Sequence, residues 1–140
     1  RMAAEGIRLS APFVNIGLAG CDMSAGYFLP RLVGLGRATD IMMSGRFVGA
    51  EEAERIGLVT RVVSPETLDE VVGKLAKRMA QGPPRALAFT KRAIHRSLAL
   101  DMEAEFDYEI FAQVQCLQSE DHREGIAAFR EKRKPNYQGK

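Results

Sequence analysis

Ile16-Gly17-Leu18-Ala19-Gly20-Cys21-Asp22-Met23-Ser24-Ala25-Gly26, continuing as Tyr27-Phe28-Leu29-Pro30-Arg31-Leu32-Val33-Gly34, is the stretch on which the fold of this chain turns. The apolar run Phe13 to Leu18 just before it reads as a strand or extended segment. A turn of small residues follows, and then apolar positions at helical spacing: Met23, Tyr27 or Phe28, and Leu32. Asp22 stands at the join. Its carboxylate suits two jobs. As an N-cap it accepts a bond from the free N–H groups of the first helical turn, contributing about 1 kcal/mol to the helix. As the wall of a pocket it is a proton-transfer base in an apolar cleft, its pKa raised by desolvation. The small residues on both sides allow other groups close approach to the backbone there.

Working outward, the 140 residues give room for one domain with a real core. Hydrophobic residues at 46% and charged residues at 27% are ordinary for a globular protein. A net charge of +2, with acids and bases interleaved, makes no electrostatic case for nucleic acid. The one dense basic run is Arg130 to Lys134. Cys21 and Cys116 share no metal-binding spacing. No apolar run approaches the ~20 residues that a membrane-spanning helix needs, and no signal peptide is visible. The expectation is a cytoplasmic or organelle-matrix protein that touches neither membrane nor nucleic acid.

Two strands are expected, Phe13–Leu18 and Leu58–Val63, with a third short one among residues 1–11. At least five helices stand against them. A lone pair of strands is marginal and carries unpaired edges. The opening Arg1-Met2-Ala3-Ala4-Glu5 reads like the interior of a protein, so strand partners are expected outside this chain.

After the Asp22 turn a helix is expected to run to Val33, kinked or shortened by Pro30 and stopped by Gly34 and Gly36. Arg37 to Met43 forms a second, closed by Ser44-Gly45. Ala50 to Arg55 carries acids in its first turn and Arg55 in its last, an order that suits the helix dipole. Ser64-Pro65 opens the next helix, with Ser64 as cap and an inward stripe of Leu68, Val71, Val72, Leu75 and Met79. Pro84 starts another, with Leu87, Ile94 and Leu98 inward. Asp101 caps a third, with Phe106, Ile110, Val114 and Leu117 inward. Ser119 begins the last, holding Ile126 and Phe129.

General motif searches yield little. The glycine pairs Gly17/Gly20 and Gly34/Gly36 continue as neither a P-loop nor a dinucleotide fingerprint. His95 and His122 lie on different helices among charged residues, which is the setting of a solvated face. No metal site is expected.

The order of segments is more specific. Ile16-Gly17-Leu18 with its Gly-rich turn, Leu29-Pro30-Arg31-Leu32-Val33-Gly34 and Arg37-Ala38 resemble the enoyl-CoA hydratase/isomerase (crotonase) family. Ser44-Gly45-Arg46, Ala50-Glu51-Glu52-Ala53 and Gly57-Leu58-Val59 do so too. In the tail, Pro84 to Lys91, Ser119-Glu120-Asp121, Glu124-Gly125, Ala128-Phe129 and Glu131-Lys132-Arg133 agree. The similarity covers essentially all of the chain.

The resemblance implies an α/β fold, the crotonase-like spiral of ββα turns, represented here mainly by its C-terminal helical part. Residues 1–64 would end the core and include the Asp22 turn; residues 65–140 would be the C-terminal helical trimerisation region. It implies an acyl-CoA thioester as substrate, with no cofactor beyond the coenzyme A of that substrate. It also implies a homotrimer or hexamer, and a missing N-terminal half of the same fold. Family members hold the thioester enolate with two backbone N–H groups, which belong to that other half, as does one of the two hydratase glutamates.

The second hydratase glutamate falls at Phe13, three residues before Ile16. A phenyl ring cannot activate water. In dienoyl-CoA isomerases of the family an aspartate seven residues before the Leu-Pro acts as a base, and Asp22 reaches that place if one extra turn residue near Gly20-Cys21 is allowed. The resemblance therefore favours Asp22 as catalytic, with Phe13 and Leu18 at the substrate. Phe129 and Lys132 match positions at the adenine end of coenzyme A, where a ring stacks and an ammonium meets phosphate. The activity implied is isomerisation or hydration of an enoyl-CoA. The alternative is a non-catalytic crotonase-like protein that binds an acyl-CoA or assembles with partners.

Overall fold

The computed structural model describes residues 1–140, and they divide into two compact units, Arg1–Gly73 and Lys74–Lys140.

In the first unit, β1 (Met2–Ala4) pairs in parallel with β4 (Arg61–Val63), Ala3 opposite Val62. β2 (Arg8–Leu9) pairs antiparallel with β3 (Val48–Gly49), Leu9 opposite Val48. Arg1 extends the first pair: its Nε donates to the Leu58 carbonyl at 2.6 Å and its own carbonyl accepts from the Thr60 N–H at 2.7 Å. Each sheet has only two strands. Their outer edges are left without a strand neighbour, as the sequence led us to expect.

Two strand assignments need correction. Phe13–Leu18 is not extended: Pro12–Ile16 is a 3-10 turn, ended by Gly17 at φ 77°. Pro12 supplies a fixed φ and no N–H at the start, and Gly17 supplies the left-handed stop, so the turn closes on itself without a strand partner. Leu58–Val63 forms a strand only over Arg61–Val63, because Gly57 (φ 79°) and the bend after it consume the first half.

The helices begin close to their sequence signals. α1 (Ala25–Val33) keeps Pro30 inside it and ends at Gly34, whose φ of 83° turns the chain straight into α2 (Leu35–Ser44). α2 stops at Gly45, left-handed at φ 61°, where an added Cβ would stand 2.6 Å from the Asn15 side chain. Ser10 Oγ donates to the Gly45 carbonyl at 2.9 Å, which ties the lead-in to the end of α2. Arg46 then clamps α2 to α3 (Ala50–Arg55), meeting Asp40 at 2.7 Å and both oxygens of Glu52 at 2.7 and 2.9 Å. The core beneath is built of small and branched residues: Ala3, Val33, Ala38, Ile41, Val48, Ala53, Ile56 and Val59. Val48 and Ala53 are fully enclosed.

Ser64 does not cap with its side chain. Its hydroxyl meets Thr67 Oγ1 at 3.1 Å within a 3-10 turn, Pro65–Thr67, that precedes α4 (Leu68–Ala80). The division between the two units falls inside α4. In the second unit α5 (Pro84–Arg96) starts at Pro84. α6 (Met102–Leu117) is capped by Asp101 accepting from the Ala104 N–H at 2.9 Å, and α7 (Glu120–Arg130) by Ser119 accepting from the His122 N–H at 3.1 Å. α5 and α6 meet through Phe89, Phe111 and the buried Tyr108, the two Phe rings edge to face at 5.8 Å.

The inward stripes expected on α4, α5 and α6 are a second correction. Val72, Leu75, Met79, Leu87, Ile94, Leu98, Phe106, Ile110, Val114 and Leu117 are all exposed, as are Ile126 and Phe129 on α7. The helical period is present, but this chain holds no layer that covers those faces. No helix is long and apolar enough to cross a membrane.

Candidate functional site

The Asp22 turn forms one wall of a cleft of about 350 Å³ in the first unit. Phe13 and Ala11 contribute from the lead-in, Phe28 and Leu32 from α1, and Leu58 from the turn before β4. Asp22 is the one ionisable side chain in that lining. Phe13 and Asp22, both singled out from the sequence, line this cleft together. Met23, Ser24, Phe28 and Leu58 line it too without having been singled out for the site, and the i, i+4 spacing of Phe28 and Leu32 was the signal available for Phe28.

Asp22 is not the N-cap of α1. It lies inside a 3-10 turn, Asp22–Ser24, and its Oδ1 accepts from the N–H of the very next residue, Met23, at 2.8 Å. The Ala25 N–H closes the turn on the Asp22 carbonyl. Ser24 occupies the cap position and makes no side-chain bond to the helix. Met23 (φ 52°) and Ser24 (φ 64°) are both left-handed. For residues with a Cβ this conformation costs of order 1–3 kcal/mol each. The carboxylate is exposed in this chain, so the apolar surroundings of the cleft do not enclose it. Gly20 seats the turn: an added Cβ would lie 2.9 Å from the Met42 backbone oxygen at the end of α2.

Leu18 is exposed and outside the cleft lining; its N–H donates to the Phe13 carbonyl at 3.0 Å. Phe129 and Lys132 belong to the second unit. Phe129 is 86% exposed and borders a separate cleft of about 440 Å³ with Cys116, His122 and Tyr137. Lys132 follows α7 at φ 55°, its N–H donating to Phe129 and the Arg133 N–H to Ala128. That pair of bonds is a Schellman ending, in which glycine is the usual left-handed residue. No group of three or more His, Cys, Asp or Glu could hold a metal ion.

A family model described as enoyl-CoA hydratase/isomerase matches residues 1–140. The chain belongs to the enoyl-CoA hydratase/isomerase family. It is 36% identical over 134 residues to a short-chain-enoyl-CoA hydratase of Clostridioides difficile, covering 93% of this chain and 83% of that protein. It is 31% identical over 139 residues to a trans-2-decenoyl-[acyl-carrier-protein] isomerase of Streptococcus mutans, covering 99% and 52%. Among solved structures, an enoyl-CoA hydratase from Bacillus anthracis superposes with a TM-score of 0.95 at 33% identity, covering 100% of this chain and 54% of that one. The chain thus spans about half the length of the latter two. Membership of the enoyl-CoA hydratase/isomerase family is what the Leu29–Gly34 and Ser44–Ala53 segments implied. Both activities in the family's title occur among the names of these relatives.

Proposed function

We propose that this chain is part of an acyl-CoA-processing enzyme that moves the double bond of an enoyl-CoA, with Asp22 as the proton-transfer group. The observation that carries the reading is the single ionisable side chain, Asp22, in the wall of an otherwise mostly apolar cleft that Phe13 also lines. On this reading the carboxylate removes a proton from the carbon next to the thioester carbonyl. The electron pair passes into the carbonyl as a dienolate, and Asp22 returns the proton at the γ-carbon, so nothing is consumed. The thioester oxygen carries the charge, and backbone N–H donors from the complementary half of the fold stabilise it. The acyl chain runs past Phe13 and Leu58, with Leu18 at its outer edge.

Coenzyme A enters only as part of the substrate. Phe129 and Lys132 serve its adenine and phosphate end. Keeping a lysine at φ 55°, where glycine has no penalty, supports a task for its ammonium. We extend the proposal to a cytoplasmic enzyme assembled as trimers or hexamers; the uncovered stripe of Phe106, Ile110 and Val114 on α6 supports subunit contact.

Hydration is the second catalytic reading, supported by relatives named hydratases. Phe13, where a hydratase carries its second glutamate, favours isomerisation over it. A non-catalytic acyl-CoA-binding protein rests on the same phenylalanine. Asp22→Asn in the active assembly tests all three. We expect turnover to fall by orders of magnitude while CoA-ester binding is kept. Turnover that survives unchanged removes Asp22 from the mechanism. A parent protein that never exchanges the α-proton of a bound thioester in deuterium oxide is the non-catalytic one.

A further inference from the structure

We propose that the uncovered faces of α5 and α6 are the two sides of one interface, α5 of one copy of this chain docking on α6 of the next. This rests on the assembly of copies proposed above. The two helices carry opposite charge, each of a single sign. α5 holds Arg85, Lys91, Arg92 and Arg96 and no acid, while α6 holds Glu103, Glu105, Asp107 and Glu109 and no base. α4 and α7 each mix both signs. A helix of one sign sets like charges a turn apart, Arg92 before Arg96 and Glu103 before Asp107, which weakens it in isolation. Opposite charges alongside would remove that cost, and the chain does not supply them. Lys91, Arg92, Glu103 and Asp107 are exposed, and none of them is in an ion pair.

Helical spacing puts these charges beside the exposed apolar stripes. On α5, Lys91 stands four residues after Leu87 and three before Ile94, both exposed. On α6, Glu103 stands three before Phe106, and Asp107 three before Ile110, both exposed. Within one copy the two helices meet through other side chains, Phe89, Tyr108 and Phe111, and that contact leaves both stripes free. An apolar strip edged with cations and an apolar strip edged with anions match as the centre and rim of an interface. The two surfaces differ, so the contact is heterologous, the kind that builds a ring where the rotation closes. A cover drawn from the complementary half of the fold leaves the opposite signs of the two helices unexplained.

The test reverses charge in the complete protein and follows mass by sedimentation over a dilution series, with circular dichroism as the check on folding. Lys91→Glu/Arg92→Glu sets acids against acids, and Glu103→Lys/Asp107→Lys sets bases against bases. Each pair is expected to raise the concentration at which the assembly half dissociates by about tenfold, as like charges across an interface do. The variant with all four changes restores opposite signs and is expected to recover most of that loss. Lys91→Gln/Arg92→Gln only neutralises, leaves a good helix former at each position, and is expected to weaken assembly by a smaller factor. The docking inference is overturned if the parent assembles and these variants dissociate at the parent concentration. It is overturned equally if the fourfold variant dissociates as readily as the weaker of the two reversals, the result that a cover from the complementary half predicts. A parent that stays monomeric at every concentration removes the proposed assembly and this inference with it.

Discussion

Arg133 grips Glu124, nine positions earlier, with both ends of its guanidinium: Nη1 meets Oε1, and Nη2 lies 2.8 Å from Oε2. The Asn136 N–H donates to the same Oε1 at 2.8 Å, so one carboxylate holds both the chain reversal after α7 and the tail beyond it. One turn earlier on α7, the buried Asp121 accepts from the Gln138 and Gly139 N–H groups at 2.7 and 2.9 Å. The C-terminal segment is therefore strapped to α7 by two carboxylates on one helix face.

The Arg133 guanidinium and the Asn136 N–H hold the Glu124 carboxyl down to about 2, against an ordinary value of 4.5. A lowered folded-state value stabilises above the unfolded one and is lost as pH falls through the folded one. Glu124 thus contributes fully above pH 4.5, and its contribution fades between there and pH 2. Amide-exchange protection at Asn136, corrected for intrinsic rates, is expected to decline across that window. In Glu124→Gln it should be low at neutral pH and should lack this acid transition.

Lys132 occupies the position where a Schellman ending prefers glycine. Lys132→Gly is expected to raise stability by about 1 kcal/mol, read as a higher denaturation midpoint. On the proposed role of its ammonium the same change weakens CoA-ester affinity by roughly fivefold, as loss of one exposed charge contact does. Calorimetric titration with the ester separates the two effects. An unaltered affinity would assign Lys132 to the solvated surface.

Gly20 lets the Asp22 turn sit directly on the Met42 carbonyl. An added methyl would meet that oxygen at 2.9 Å and Val14 Cγ1 at 3.3 Å, and the first neighbour is backbone. Gly20→Ala is expected to cost about 1–3 kcal/mol through forced displacement. Turnover should fall with it, since the turn that carries Asp22 is the part that must move. Thermal melts and initial rates on the one variant check both.

Phe106, Ile110 and Val114 recur every fourth residue along α6 and are exposed. On the proposed trimeric assembly, Phe106→Glu/Ile110→Glu places charges where apolar surface meets its partner, which is strongly unfavourable unless they are paired. Light scattering is expected to show monomers in place of trimers. A particle of the same mass in parent and variant would exclude this face from the assembly.

Local chemistry explains what the sequence by itself determined. Pro84, Asp101 and Ser119 mark helix starts, and Gly34 and Gly45 mark helix stops, because each signal acts within a turn of the residue that carries it. The ordered segments from Ile16 to Arg133 were enough to identify the family. Tertiary structure alone decided the rest. Phe13 lies in a 3-10 turn and not in a strand, because a strand exists only where a partner lies alongside. The stripes of α4 to α6 carry the helical period but face outward, because periodicity states which side is apolar and not whether anything covers it. Asp22 looked like a cap from its place in the sequence. Two left-handed residues separate it from α1, so Ser24 takes the cap position and the Asp22 carboxylate accepts only from the neighbouring Met23 N–H, a backbone geometry that side-chain identity does not reveal.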